Sequence, residues 1–270
     1  MNTLYQRLGG ESLSAALLRL ETEIKARPAD ADLRAAFVQF LILDGNWTRA
    51  LTQLKSWAAL KPQAKPTVTL LEQAITGEQQ REQVLAGQAR PSMPDTQWPW
   101  LAMLADALAQ TGEQAQALRL VALEQAQANP GQLTFENEKT QAFAWLMDGD
   151  ARLGPVCEAI VNGRYFWLPF SAIEEIRFQA PASVTDLVWR HALVRLTDGT
   201  EQVCQLPARY PFAANAGDHI KLGRATEWLA LDNDGALYQG LGQKAWLSEQ
   251  SESPLLSLSL ATFTAGGAHE

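Results

Sequence analysis

Apolar positions in the first 128 or so residues recur with a helical period. Leu13, Leu17, Leu20 and Ile24 fall three or four apart, and Phe37, Phe40 and Leu41 keep the same spacing. That spacing lays apolar side chains along one stripe of an α-helix. The residues around them are largely Ala, Leu, Gln and Glu, which are strong helix formers. Pro28 and Pro62 stand 34 residues apart, the period of the tetratricopeptide repeat (TPR). Between them, "DGNWTRALTQL" supplies a turn at Gly45 and a second helix carrying Ala50 and Leu54. A similar phrase returns in "WLAMLADALAQTGEQAQALRLVALEQAQANP", with Gly112, Ala117, Val121 and Pro130. Ala50 and Ala117 each lie five residues after a glycine, where a small side chain lets two helices approach closely. An extra helix over roughly 66–87 separates the two units. The pattern predicts a TPR-like helical domain over residues 1–130, although any antiparallel helix set would show the same period.

Two breaks interrupt the helices. "QARPSMPDTQWP" (88–99) carries three prolines and reads as a loop, and "NPGQLT" (129–134) marks a stronger change. Beyond it the period shortens to two. "HALVRLTDGTEQVCQLP" is a hairpin: Val194 and Leu196 alternate with polar residues, Asp198-Gly199 turns the chain, and Val203 lies on the return strand. "TEWLALDNDGALYQG" reads as a second hairpin turning around Asn233–Gly235. "GPVCEAIVNG" is expected to be a short helix, with Pro155 in its first turn and Gly163 just past its end. In "NGRYFWLPFSAIEEIRF" (162–178), a strand over 164–168 meets Pro169. Ser171 and Glu174 then have the spacing of a capping box, which predicts a helical turn at "AIEEI" before a strand from about 176. The fold class is therefore α+β: the TPR-like helical domain, then a compact β-rich domain with short helices over residues 131–270.

Composition narrows the chemistry. Hydrophobic residues make up 47% and charged residues 19% of the 270, the balance of a globular protein. A net charge of −8, with no basic run, is unsuited to nucleic acid, whose affinity comes largely from Lys and Arg. No signal peptide is expected at the N-terminus, and the most apolar run, "AAFVQFLIL" (35–43), is too short to span a bilayer. Two cysteines do not make a disulfide framework. These features predict a cytoplasmic protein without a membrane or nucleic-acid partner.

Catalytic and metal motifs are sparse. The histidines His191, His219 and His269 have no metal-ligand spacing, and His269, next to last, is expected to fray. Cys157 or Cys204 could pair with His191, but a buried free thiol is the commoner state. Asp148 and Asp150, with Glu158 nearby, could hold a hard cation or support metal-dependent hydrolysis, whereas a capped turn before the expected 155–161 helix explains the same residues. No metal or cofactor is predicted. Nine Trp signal large apolar area to be buried inside or under a partner. Trp167, Phe170, Phe178 and Trp189 read as core. Arg164, Tyr165, Phe166, Trp167 and Trp189 are the candidate partner-binding residues, since aromatics and Arg commonly anchor interfaces.

The run "ARLGPVCEAIVNGRYFWLPFSAIEEI", followed by "DLVW", "ARYP" and "LGRATEW", resembles the ImpE/TagJ accessory proteins of type VI secretion systems. The helical first half, "REQVLAGQARP" and "WPWL" agree, so the likeness spans about residues 10–258. It implies a cytoplasmic, non-catalytic adaptor with no cofactor and no catalytic residue to transfer. The implied partner is the small sheath subunit, TssB, through an N-terminal helical segment, with an indirect link to the ClpV disassembly ATPase. An amphipathic partner helix would lay its apolar face in a groove while acidic rim residues meet its basic ones. A TPR-type chaperone binding many peptides is the further alternative.

Overall fold

Ser12 accepts the Ala15 amide and so starts the first described helix, α1 (Leu13–Ala26). The computed structural model describes residues 10–94, 98–232, 235 and 237–264. Asp30 caps α2 (Ala31–Asp44), and Gly45 ends it in the left-handed region at φ 77°. Asn46 caps α3 (Trp47–Leu60) one residue later. A short 3-10 turn leads into α4 (Lys65–Leu85), and α5 (Pro99–Leu108) and α6 (Gly112–Gln125) complete the helical half. The extra helix expected over 66–87 is α4.

The first repeat-like unit is present as read: α2 and α3 form a packed pair across Gly45, with Ala50 and Leu54 buried between helices. The second unit departs from it. Gly45 stands two residues before its helix, whereas Gly112 is the first residue of α6. The same five-residue offset therefore lands two positions further along the helix, a rotation of about 200°. Ala117 and Val121 face outward, and Ala115 and Ala122 face inward instead.

The second half is built on an antiparallel sheet of eight strands in the order β2-β1-β13-β6-β7-β8-β4-β5. These strands are β1 (Gly131–Phe135), β2 (Thr140–Phe143), β4 (Val156–Val161), β5 (Arg164–Pro169), β6 (Ile173–Phe178), β7 (Trp189–Leu196), β8 (Glu201–Pro207) and β13 (Leu258–Phe263). A three-stranded sheet joins β3 (Met147–Asp148), β11 (Ala245–Leu247) and β12 (Glu252–Pro254). The pair β9 (Thr226–Ala230) and β10 (Tyr238–Gly242) follows a short helix, α7 (Asp218–Lys221). The β7–β8 hairpin turns at Asp198-Gly199, and β9–β10 is the second expected hairpin. Of its expected turn residues, Asn233 and Asp234 lie outside the described residues, as does His269. Among the described residues, no helix is long and apolar enough to cross a membrane.

Two expected helices are strands. "GPVCEAIVNG" forms β4, and Asn162 (φ 50°) with Gly163 (φ 80°) makes the two-residue turn into β5. Both residues at positive φ is the signature of a type I′ hairpin, which Asn-Gly favours. The helix expectation failed because β4 is covered on both faces: Val156 to Ile160 are all buried, so no alternation shows in the sequence. At Ser171–Glu174 the spacing of a capping box is present without a helix. A 3-10 turn at Phe170–Ala172 is followed directly by β6, whose Ile173, Ile176 and Phe178 point inward. The capping box that does form joins Ser183 and Asp186, ahead of the turn Val184–Leu187.

The two halves share one continuous apolar core, because α4 lies directly on β4 and β5. Gly77 makes that approach possible. A Cβ there would sit 2.4 Å from Ile160 Cγ2, so the helix could not rest at this depth with any larger residue.

Candidate functional site

The aromatic block and the acidic triplet singled out from the sequence meet in the interior, where α4 crosses the sheet. Glu78 and Arg81 are three apart on α4 and both are buried. Arg81 donates to Glu78 Oε1 at 2.7 Å and grips Glu158 of β4 with two bonds of 2.7 and 2.9 Å. Lys244, just before β11, bridges Glu158 and Asp148. Tyr210 donates to the other oxygen of Asp148 at 2.8 Å. Tyr165 donates to Glu158 and accepts from the Trp167 indole at 2.7 Å. The Trp189 indole donates to Glu78 Oε2 at 3.0 Å. A chain of charges thus runs from the helical half through the large sheet to the small one.

The electrostatics follow from burial and pairing. Burial alone would raise the Glu158 carboxyl, but Arg81 and Lys244 outweigh it and hold it well below the usual carboxylate range. Asp148 goes the other way: burial, helped by Glu158 and Asp150, pushes it up to about 6 against the pull of Lys244. Burial also raises both thiols, Cys157 strongly and Cys204 to about 12, which disfavours the thiolate that a Cys–His dyad would need. Asp148 Oδ1 accepts the Asp150 amide, and Asp150 accepts both the amide and the guanidinium of Arg152, with a shortest contact of 2.6 Å. "MDGDARLGP" is therefore a capped turn, as one of its readings had it, although a strand follows rather than a helix. Among the described residues, no group of three or more His, Cys, Asp or Glu is placed to hold a metal ion.

These positions correct the candidate partner-binding set. Strand alternation turns Tyr165 and Trp167 inward, where they are buried along with Trp189, so none of the three offers a surface to a partner. Phe166 is half-buried on the opposite face, with the exposed Arg164 guanidinium 5.2 Å over its ring. Sequence reasoning passed over Glu78, Arg81 and Lys244. For the first two a signal existed: Leu71, Ala74, Ile75, Glu78, Arg81 and Leu85 follow one helical stripe, so two charges sit where apolar residues belong.

Two depressions have Phe212 in their walls, and the first opens at the seam. A cavity of about 410 Å³ is lined by Asp44–Thr48, Glu78, Glu82 and Arg209–Phe212. Arg209 is fixed there, donating to the Ile42 and Leu43 carbonyls at the end of α2 at 2.8 and 2.7 Å and to the Lys221 carbonyl, while stacking on Phe212. The Trp47 indole donates to Glu82 at 2.7 Å. A second depression of about 600 Å³ lies between Pro211–Ala213, Asn215–Gly217, Ile220 and the β9–β10 pair, with Leu229 and Leu241 in its wall and the His219–Glu227 pair at its side. Pro211 and Phe212 line both.

Residues 140–262, which hold most of the charge chain, match the ImpE protein family. Over 251 residues the chain is 39% identical to the type VI secretion system accessory component TagJ of Pseudomonas aeruginosa, covering 91% of this chain and 85% of that protein. The chain belongs to the ImpE/TagJ family. A crystal structure of a Vibrio parahaemolyticus protein shares the fold at a TM-score of 0.83 and 27% identity, covering 99% of this chain and all of that one. Several stretches that carry the ImpE resemblance are the parts that close the seam. Arg152 clamps Asp150, Asn162-Gly163 turns β4 into β5, Trp189 reaches Glu78, and Arg209 caps α2.

Proposed function

We propose that this protein is a non-catalytic accessory of a type VI secretion system. It acts as a cytoplasmic adaptor that captures the N-terminal helix of the small sheath subunit, TssB, and tunes sheath assembly or ClpV-linked turnover. The observation that carries the accessory role is the 39% identity, over nearly the whole chain, to a protein bearing that description. The internal chemistry supports an adaptor over a hydrolase. Asp148 and Asp150, the acids a metal-dependent mechanism would use, spend their oxygens on Lys244, Tyr210, Arg152 and backbone amides. An apolar depression at the surface suits the capture of the apolar face of a helix.

The test is a pull-down and fluorescence-anisotropy titration of the full chain with a TssB N-terminal peptide and its scrambled version. Selective binding of the native peptide is expected. Equal binding of both would indicate a general peptide chaperone, and no binding at high micromolar peptide would sink the adaptor reading.

A further inference from the structure

β5 is the last strand of the large sheet, so one of its edges has no neighbouring strand. Such an edge presents backbone groups that can pair with another chain. Here those groups are taken. The side-chain amide of Gln80, on α4, donates to the Gly163 carbonyl and accepts the Tyr165 amide, both at 3.1 Å. Ser92 answers the next two. Its amide donates to the Tyr165 carbonyl at 3.1 Å, and its carbonyl accepts the Trp167 amide at 2.9 Å. Pro169, the following outward position, has no N–H to offer. Each outward N–H of β5 is therefore bonded or absent. Ser92 makes an isolated parallel bridge with Phe166, and Pro91 and Pro94 on either side keep the segment from growing into a strand. Arg90 anchors it to Asp106 of α5 at 2.8 Å through an exposed ion pair, a light fastening. The opposite edge of the sheet, β2, is only four residues long, and shortness is itself a guard.

Uncovered, this edge would match itself. Tyr165 and Trp167 both turn their backbone groups away from β4. A two-fold axis at Phe166 would set Tyr165 of one copy opposite Trp167 of a second, each pair exchanging both of its antiparallel bonds. We propose that residues 88–94 form a guard strap: Ser92, beside Gln80, stands where the strand of a second copy would pair, and so keeps β5 from joining two molecules edge to edge. The guard acts on backbone groups of the sheet and does not depend on the adaptor reading.

The experiment follows mass by light scattering over a range of concentrations, for the full unmodified chain and for Ser92→Pro combined with Gln80→Ala. Hydrogen exchange at the Trp167 amide is read in the same samples. The proline ring would occupy the place where the Ser92 N–H now meets the Tyr165 carbonyl, so the strap must lift. The variant's mass is expected to climb with concentration towards about twice that of the unmodified chain, the step of a two-fold dimer. Its Trp167 amide is expected to exchange fast when dilute and to regain protection when concentrated. A mass equal to that of the unmodified chain at every concentration would overturn the guard. So would association that leaves the Trp167 amide unprotected, because another surface would then be pairing. If the variant does not fold, the same two readings on Gln80→Ala with residues 90–94 replaced by Gly and Ser decide between these outcomes.

Discussion

Glu78 and Glu82 sit one helical turn apart on α4, and each accepts a bond from a tryptophan indole, Trp189 for the first and Trp47 for the second. The two indole rings lie against each other with centroids 5.7 Å apart. Yet the two carboxylates lead different lives. Glu78 is buried, paired with Arg81 and tied through it to Glu158, Lys244 and Asp148. Glu82 faces the cavity mouth without an ion-pair partner among the described residues. The contrast separates charge paired within the fold from charge left at the cavity mouth. An acid whose every oxygen is answered inside the fold holds the fold together, whereas Glu82 is bonded by a neutral donor and feels Arg81 and Arg209 only at a distance, which does not outweigh its burial.

The sharpest way to test the inner side is to remove the cation at its centre. Arg81→Met leaves Glu78 and Glu158 buried with fewer partners. Removing one member of a buried pair typically costs about 3–5 kcal/mol, because the remaining charge is uncompensated. Urea denaturation should show a loss of that size. A loss below about 1 kcal/mol would mean that the chain of charges is not a structural weld.

The next effect is in pH. The folded Asp148 carboxyl titrates at about 6 against an ordinary value of 3.8, so the folded protein holds this proton through a range where the unfolded chain has lost it. By linkage, the stability from this site is fullest below the ordinary value and falls as pH rises to about 6, by an amount of the order of 3 kcal/mol. Glu158 has the opposite sign: its depressed carboxyl contributes above its ordinary range and loses that contribution as pH falls towards strong acid. Asp148→Asn isolates the first term. The unmodified chain should lose stability relative to Asp148→Asn between pH 4 and 6 in thermal melts, and parallel curves would contradict the assignment.

A milder break acts through shape. Gly77→Val places side-chain atoms where Ile160 now lies, and overpacking of this kind typically costs about 1–3 kcal/mol. Helix propensity alone would favour replacing a mid-helix glycine. Destabilisation, read as a lower urea midpoint, would show that the depth of α4 on the sheet governs, and stabilisation would show that it does not.

How much of this was legible beforehand depends on how local the signal was. The helices of the first half, the Asp198-Gly199 hairpin and the second hairpin announce themselves within a few residues through period and turn chemistry. Asn162-Gly163 is equally local, but Val156 to Ile160 are all buried, so the strand that leads into this turn lacks the alternation that marks it. Ser171 and Glu174 had the spacing of a helix cap, but the inward pattern of Ile173, Ile176 and Phe178 belongs to a strand. The charge chain was illegible for a different reason. Arg81 meets Glu158 across 77 residues and Lys244 meets Asp148 across 96, and no local pattern encodes such partners. The out-of-place charges at 78 and 81 could have shown that something buried must answer them, but not what.

The smallest expected effect sits on the outer side of the comparison. Glu82→Gln keeps an oxygen able to accept the Trp47 indole and removes a charge that no described ion pair uses. Surface substitutions away from packed or paired features usually change stability by less than about 0.5 kcal/mol, and a raised carboxyl gives no reason to expect a loss on neutralisation. The urea midpoint should therefore stay where it is. Glu78→Gln should do the reverse: it removes the negative end of a buried pair with Arg81 and lowers the urea midpoint, with the outer pocket's charge at Glu82 intact. If Glu82→Gln instead destabilised the protein as much as Glu78→Gln, both acids would belong to one internal network. The distinction between charge that builds the fold and charge that does not would then be lost at this site.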